Sequence, residues 1–350
     1  MVSIIVFGLL GIATFNYQVD PAGLFRLNKY ESGIADILIK KQNVANISNY
    51  DERLVQKYLI EKSIEKRDVL VLGSSRVMQI HDYLFPQQTF FNHSVSGASI
   101  EDDIAIVAMY KERNWIPQKI IIGLDPWLLN KYHGQNRWQS IQEEYNNGSV
   151  YLGLDNNNEK ATCFNKSFYR KYIELISLPY LKASYNKWRR PKNNEYYTTM
   201  ERESTVAIKL ADGTISYPDN ERNISVEDAK KRAVIYASSD PIYSIGNFDK
   251  LDEDNKRKFE IFVKYLQKHK MEVVFFLPPY HPAVYDALVN NPQYSVALET
   301  ERYFRNFAQQ QNILVVGAYN PVECWLSDAD FYDGMHAKPQ AIDKIFNRSN

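Results

Sequence analysis

The sequence predicts an α/β fold, a three-layer α/β/α sandwich around a parallel five-stranded sheet, with a large insertion after the third strand. Short, continuous apolar runs recur five times, and runs of this kind are how strands buried on both faces of a parallel sheet read. Stretches with apolar residues at helical spacing lie between them. Strands alternating with helices of that length build a sheet covered on both sides. From residue 126 to 250 the alternation stops, which marks the insertion.

Taken in chain order, Val2 to Phe15 (VSIIVFGLLGIATF) is the one strongly apolar run. It is short for a membrane span, which needs about 20 residues, and Tyr17 extends it towards that limit. No basic stretch precedes it and no small-residue cleavage site follows, so a cleaved signal peptide fits poorly. Residues 1–17 are therefore expected to be an uncleaved anchor in the cytoplasmic (inner) membrane, with the rest of the chain extracytoplasmic, in the periplasm. Residues 18–50 read as a connector and 51–350 as the catalytic domain.

Within that domain, Asp51 to Lys66 has helical spacing through Leu54, Val55, Tyr58, Leu59 and Ile64. Asp68 to Gly73 (DVLVLG) is the first expected strand and Thr89 to Asn92 the second, followed by a helix from Ser99 to Arg113. Gln118 to Leu124 is the third strand. After the insertion come a helix over Lys256–Lys270, a strand over Glu272–Leu277, a helix over Ser295–Gln311 and a strand over Ile313–Val316.

Composition narrows the function. The 350 residues carry 42 Lys and Arg against 42 Asp and Glu, so the chain lacks the basic surplus that phosphate contacts need and no nucleic-acid partner is expected. Two cysteines, Cys163 and Cys324, are too few for a zinc ribbon or a disulfide scaffold; one bridge or two free thiols fit equally well. Twenty-five Tyr, 17 Phe and 5 Trp suit a sugar-binding groove, since a pyranose has an apolar face and a polar edge. Filling a large core accounts for them equally well.

Ligands of open parallel sheets bind at the carboxyl ends of the strands. Gly73-Ser74-Ser75-Arg76 follows the first strand. Asn92 ends the second, with Gly97 five residues on. Gly123-Leu124-Asp125-Pro126-Trp127 closes the third, and Pro278-Pro279-Tyr280-His281-Pro282 the fourth. Asp333-Gly334-Met335-His336 lies beyond the fifth. A serine hydroxyl needs an imidazole to take its proton, and the imidazole needs a carboxylate to fix its tautomer. Ser75, His336 and Asp333 supply that set, and a close-approaching backbone at Gly97 suits an oxyanion donor. Taken alone, Gly-Ser-Ser after a strand is also an ordinary helix cap. Arg76 could hold an acidic substrate group or pair with a carboxylate. Trp127, Tyr280 and His281 are expected to border the cleft and bind substrate, while His81 and His93 read as surface or structural. No metal-ligand spacing occurs, and neither a metal nor another cofactor is expected.

These motifs resemble the SGNH (GDSL-type) hydrolases, whose fold is a flavodoxin-like sandwich. Gly73-Ser74-Ser75 matches their first block, Gly97 the oxyanion glycine, Gly123-Leu124-Asp125 the Gly-x-Asn block and Asp333-x-x-His336 the last. The resemblance implies Ser75 as nucleophile, His336 as base, Asp333 as its orienter, and the N–H groups of Ser75 and Gly97 as oxyanion donors. Gly-Ser-Ser-Arg also resembles the variant of membrane-anchored envelope acyl-transfer proteins, the DltD and alginate O-acetyltransferase groups. That likeness implies O-acetylation of a cell-envelope glycan and a membrane-bound O-acyltransferase partner. A carbohydrate esterase with the same triad, or a non-catalytic glycan-binding subunit of degenerate SGNH fold, are the alternatives. Asp125 departs from the expected Asn: an ionised carboxylate accepts hydrogen bonds only and would repel an oxyanion. Either Asp125 is protonated and serves the oxyanion site, or it turns away and Asn92 takes its place as donor; the second is expected.

Overall fold

A computed structural model describes residues 2–20, 29–154, 172–189 and 196–349. Its centre is an all-parallel sheet made of β2 (Val69–Leu72), β3 (Phe90–Asn92), β4 (Lys119–Gly123), β8 (Glu272–Leu277) and β9 (Leu314–Gly317). Their spatial order is β3-β2-β4-β8-β9, so the chain winds outward in one direction, then in the other. The reversal falls between β2 and β4, the place where such sheets leave a crevice for ligands.

Side chains alternate across this sheet. Leu70, Leu72, Ile120, Ile122, Phe275 and Leu277 point into the larger core, beneath α4 (Ile100–Glu112), α9 (Glu253–Lys268) and α11 (Ser295–Gln311). Val69, Val71, Ile121, Val274 and Phe276 face the other way, towards Ile342, Ile345 and Phe346 of α12 (Pro339–Ser349). Three layers result, and all five strands fall where the apolar runs put them. The helix read over residues 51–66 is α3 (Glu52–Lys62), capped by Asp51 and ended at Ser63, whose backbone is extended. Ile64 lies beyond that end and is exposed.

Two glycines let the strand ends approach at the crevice. A Cβ on Gly73, at φ +127°, would meet the Gly123 carbonyl oxygen at 3.0 Å, tighter than nine in ten real Cβ contacts. The ends of β2 and β4 thus touch with no side chain between them.

The described residues 29–50 of the stretch read as a connector contribute to the core. Within it lie α2 (Lys29–Ile39) and β1 (Asn43–Ala45), and Ile34, Ala35, Val44 and Ala45 are fully buried. In a second, four-stranded sheet, β1 pairs antiparallel with β5 (Tyr197–Thr199) and β6 (Ile208–Lys209), and β6 pairs with β7 (Ile215–Ser216). The insertion therefore shares a sheet with the segment that precedes the main domain. Its first helix, α5 (Gln142–Leu152), packs on α4, where Gly148 sits against Ile104 and Ala108. At the N-terminus, α1 (Val2–Val19) packs against α6 (Leu178–Arg189). No helix among the described residues is long and apolar enough to cross a membrane. Cys163 lies outside the described residues. Cys324 is buried, and burial pushes its thiol up to about 11.

Candidate active site

Beyond the end of β2 the chain turns into a short 3₁₀ helix, Ser75–Val77, with Ser74 as its cap: the Ser74 hydroxyl accepts from the Arg76 N–H. The first N–H groups of a helix have no partner inside it. Accordingly, no described residue accepts from the Ser75 N–H. Capping thus falls to Ser74, which holds the turn and leaves the Ser75 side chain free of that role.

The Ser75 hydroxyl meets His336 Nε2 at 2.9 Å, across 261 residues of sequence. On the other side of the ring, Nδ1 lies 2.8 Å from Asp333 Oδ2. With Nδ1–H donating to the carboxylate, Nε2 is left as the acceptor for the serine proton. Asp333 is in turn fixed by the N–H groups of Met335 (2.8 Å) and His336 (2.9 Å). Burial pushes the Asp333 carboxyl up, but the His336 hydrogen bond and charge, with these two N–H donors, outweigh it and hold the carboxyl at about 2. Asp333 is therefore ionised across the working pH range.

Gly97, at φ +58° in the loop after β3, is held from behind. Arg53 on α3 donates to the carbonyls of Ser96 (3.1 Å) and Gly97 (3.3 Å) and pairs through two nitrogens with buried Asp102 (2.8 and 3.0 Å). Glu52 accepts from the N–H and hydroxyl of Ser96. With the Gly97 carbonyl engaged, its N–H donates to no described residue. A Cβ there would overlap Gln135 and the Tyr243 hydroxyl, so the insertion closes over this loop.

Asp125 and Arg76 form a buried ion pair, Nη1 to Oδ1 at 2.8 Å, with both side chains almost wholly excluded from solvent. Burial pushes the Asp125 carboxyl up and the permanently charged Arg76 pulls it back. The same guanidinium donates to the carbonyls of Pro278 (2.6 Å), Pro279 (2.9 Å) and Met335 (3.2 Å) and stacks on Tyr280 at 3.8 Å. One side chain thereby ties together the loops after β2, β4 and β8 and the backbone next to His336. The Asp125 carboxylate is engaged by Arg76, and that pairing gives a reason for a carboxylate at this position.

Four expected roles change, those of Asn92, Trp127, Tyr280 and His281. Asn92 is no oxyanion donor: its amide gives both hydrogens to the carbonyls of Val77 (2.8 Å) and Ile80 (3.1 Å). Arg76 takes the second of its two expected roles, pairing with a carboxylate, and its other donors go to the carbonyls just described. Trp127 is buried, with its indole N–H on the Ala98 carbonyl at 3.0 Å. Tyr280 is buried under Arg76, and His281 is a buried cap whose Nδ1 accepts from the Ala283 N–H. These residues brace the cleft from inside. His81 and His93 are buried and structural, the latter between Gln56 and Tyr110.

Other residues reach the site instead. The β6–β7 hairpin rests on β3, with the Asp212 carbonyl accepting from the Asn92 N–H at 2.8 Å. Tyr217, just past it, sets its ring edge against His336 at 6.5 Å. Tyr217 belonged only to the general richness in tyrosine, and Arg53 read as one charged residue of an amphipathic helix; neither carried a positional signal. A 530 Å³ cavity lies elsewhere, near Lys119 and Leu314 at the starts of β4 and β9. Among the described residues no group of His, Cys, Asp and Glu could hold a metal ion.

Chemically, the arrangement offers a hydroxyl poised to lose its proton to an imidazole, an imidazolium stabilised by a carboxylate, and two unspent N–H groups on neighbouring loops. No family model matches the chain, and no curated protein matches it.

Proposed function

We propose that the chain is an SGNH-type serine acyltransferase, anchored by its N-terminal segment, that O-acetylates an extracytoplasmic cell-envelope polysaccharide. The observation that carries this reading is the hydrogen-bonded series from Ser75 through His336 to Asp333 at the carboxyl edge of a parallel sheet. Ser75 Oγ attacks the donor's acyl carbonyl while His336 Nε2 takes the hydroxyl proton. Oxygen gains negative charge in the tetrahedral state and is met by the N–H groups of Ser75 and Gly97, an interaction worth about 3–4 kcal/mol per donor in such sites. Collapse expels the donor's leaving group, which receives the proton from His336, and leaves an ester on Ser75. A sugar hydroxyl, deprotonated by the same imidazole, then takes the acyl group and restores the serine.

Water in place of the sugar would make the same residues an esterase, so the two readings differ only in what is positioned as acceptor. The aromatic insertion closing over Gly97, through Gln135 and Tyr243, supports a glycan acceptor. Pairing of Asp125 with Arg76 explains the missing asparagine without any loss of the triad, which weighs against a degenerate, binding-only subunit. The resemblance to envelope acyl-transfer proteins supports a membrane-bound O-acyltransferase as the partner delivering acyl groups.

A serine-directed fluorophosphonate tests the core of the reading. We expect a mass adduct on Ser75 in the wild type and none in His336→Ala; an unlabelled Ser75 in the folded wild-type protein would refute it. Donor consumption that depends on added glycan marks transfer, and equal turnover in water alone marks hydrolysis.

A further inference from the structure

We propose that the Trp188 end of α6 (Leu178–Arg189) meets an anionic lipid surface beside α1; this rests on the anchor reading of α1 above. The two helices run antiparallel. Phe15 meets the Trp188 ring edge-on at 6.2 Å, while Asp20 accepts from the Tyr180 hydroxyl at 2.7 Å. Moving from 15 to 20 along α1 thus corresponds to moving from 188 back to 180 along α6. The apolar N-terminal part of α1 accordingly projects past the Trp188 end of α6.

Around that pair the surface is apolar. At the Trp188 end, Leu9 (43%) and Leu10 (57%) of α1 and Trp188 (65%) of α6 are exposed. Exposed apolar side chains at the open end of a helix pair suit a contact site. Charge decides which kind. Within α6 the sequence holds Lys182, Lys187 and Arg189 and no acidic residue, in a chain whose net charge is zero. Tryptophan beside Lys and Arg, bordering an apolar helix, is the composition of a bilayer interface, and anionic headgroups attract such basic residues. A second copy of the chain would set like charges against each other.

The test uses the purified full-length chain with phosphatidylcholine vesicles, with and without phosphatidylglycerol, carrying brominated acyl chains. We expect the protein to float with both vesicles and its tryptophan fluorescence to be quenched by bromine. That quenching should be stronger with phosphatidylglycerol and should be lost in Trp188→Phe. Lys182→Gln combined with Arg189→Gln should remove the phosphatidylglycerol-dependent part. Flotation without Trp188-dependent quenching overturns the role of α6 and leaves the anchor standing. Failure to float overturns the anchor and this proposal with it. Equal quenching in both lipids overturns the anionic preference, and a Trp188 signal that changes with protein concentration without lipid would replace the membrane by a second copy.

Discussion

In the proposed mechanism Ser75, His336 and Asp333 divide one task, and the substitutions that separate their parts differ. Ser75→Ala removes the attacking oxygen, so acyl-enzyme formation should be abolished while the fold is kept, as mass spectrometry with the acyl donor would report. Asp333→Asn keeps the shape but favours the wrong imidazole tautomer, and kcat should fall by about 10⁴-fold in a steady-state assay. Asp333 also leaves a mark on stability. Its folded carboxyl is held at about 2, below its ordinary 3.8, so the unfolded chain binds the proton more readily between those values. The stabilisation is complete above the unfolded value and disappears as pH falls through about 2. Urea unfolding of wild type and Asp333→Asn should therefore differ most at neutral pH and converge in strong acid.

Elements meet at the site through buried charges, which makes those charges expensive to break singly. Arg76→Met strands the Asp125 carboxylate in a dry interior, and loss of one partner from such a pair costs about 3–5 kcal/mol. Arg76→Met with Asp125→Leu removes both charges and should recover part of that loss in chemical denaturation; a double variant no more stable than the single would argue that the four-way tie, and not the pair, is what matters. The β6–β7 hairpin is fitted just as closely. Gly213 sits at φ +86°, and a Cβ there would overlap the Asn92 carbonyl oxygen. Gly213→Ala should cost about 1–3 kcal/mol and shift Tyr217 away from His336, seen as a lowered unfolding midpoint together with lowered activity.

At the scale of the molecule, the segment before the main sheet is part of the core. Ile34, Leu38 and Val44 are buried in the same cluster as Leu70 and Ile122, and full burial of each such side chain is worth about 1.5–3 kcal/mol. Their loss together is comparable to the whole stability of an ordinary domain, about 5–15 kcal/mol. A chain beginning at Lys29 should keep cooperative unfolding, and one beginning at Asp51 should lose it, as calorimetry would show.

Local patterning along the chain suffices for the periodic elements and for the order of the strand-end motifs. Apolar runs such as Asp68–Gly73 and helical spacing such as Ser295–Gln311 are local patterns, fixed by which faces must be buried, and they survive folding unchanged. The positions of Ser75, Gly97, Asp333 and His336 at strand ends were legible for the same reason, because a parallel sheet sends every strand end to one edge. Tertiary structure alone decided which polar groups were already spent. Asn92 and Arg76 look available in sequence, yet each is consumed by carbonyls whose positions depend on how distant loops converge. Trp127, Tyr280 and His281 adjoin the same loops and turn inward, since direction at a loop is set by packing and not by spacing. Residues 29–50 follow the same rule: β1 is three residues long and becomes a strand only because partners from more than 150 residues away, at Tyr197–Thr199, lie down on both of its edges with Ile208–Lys209.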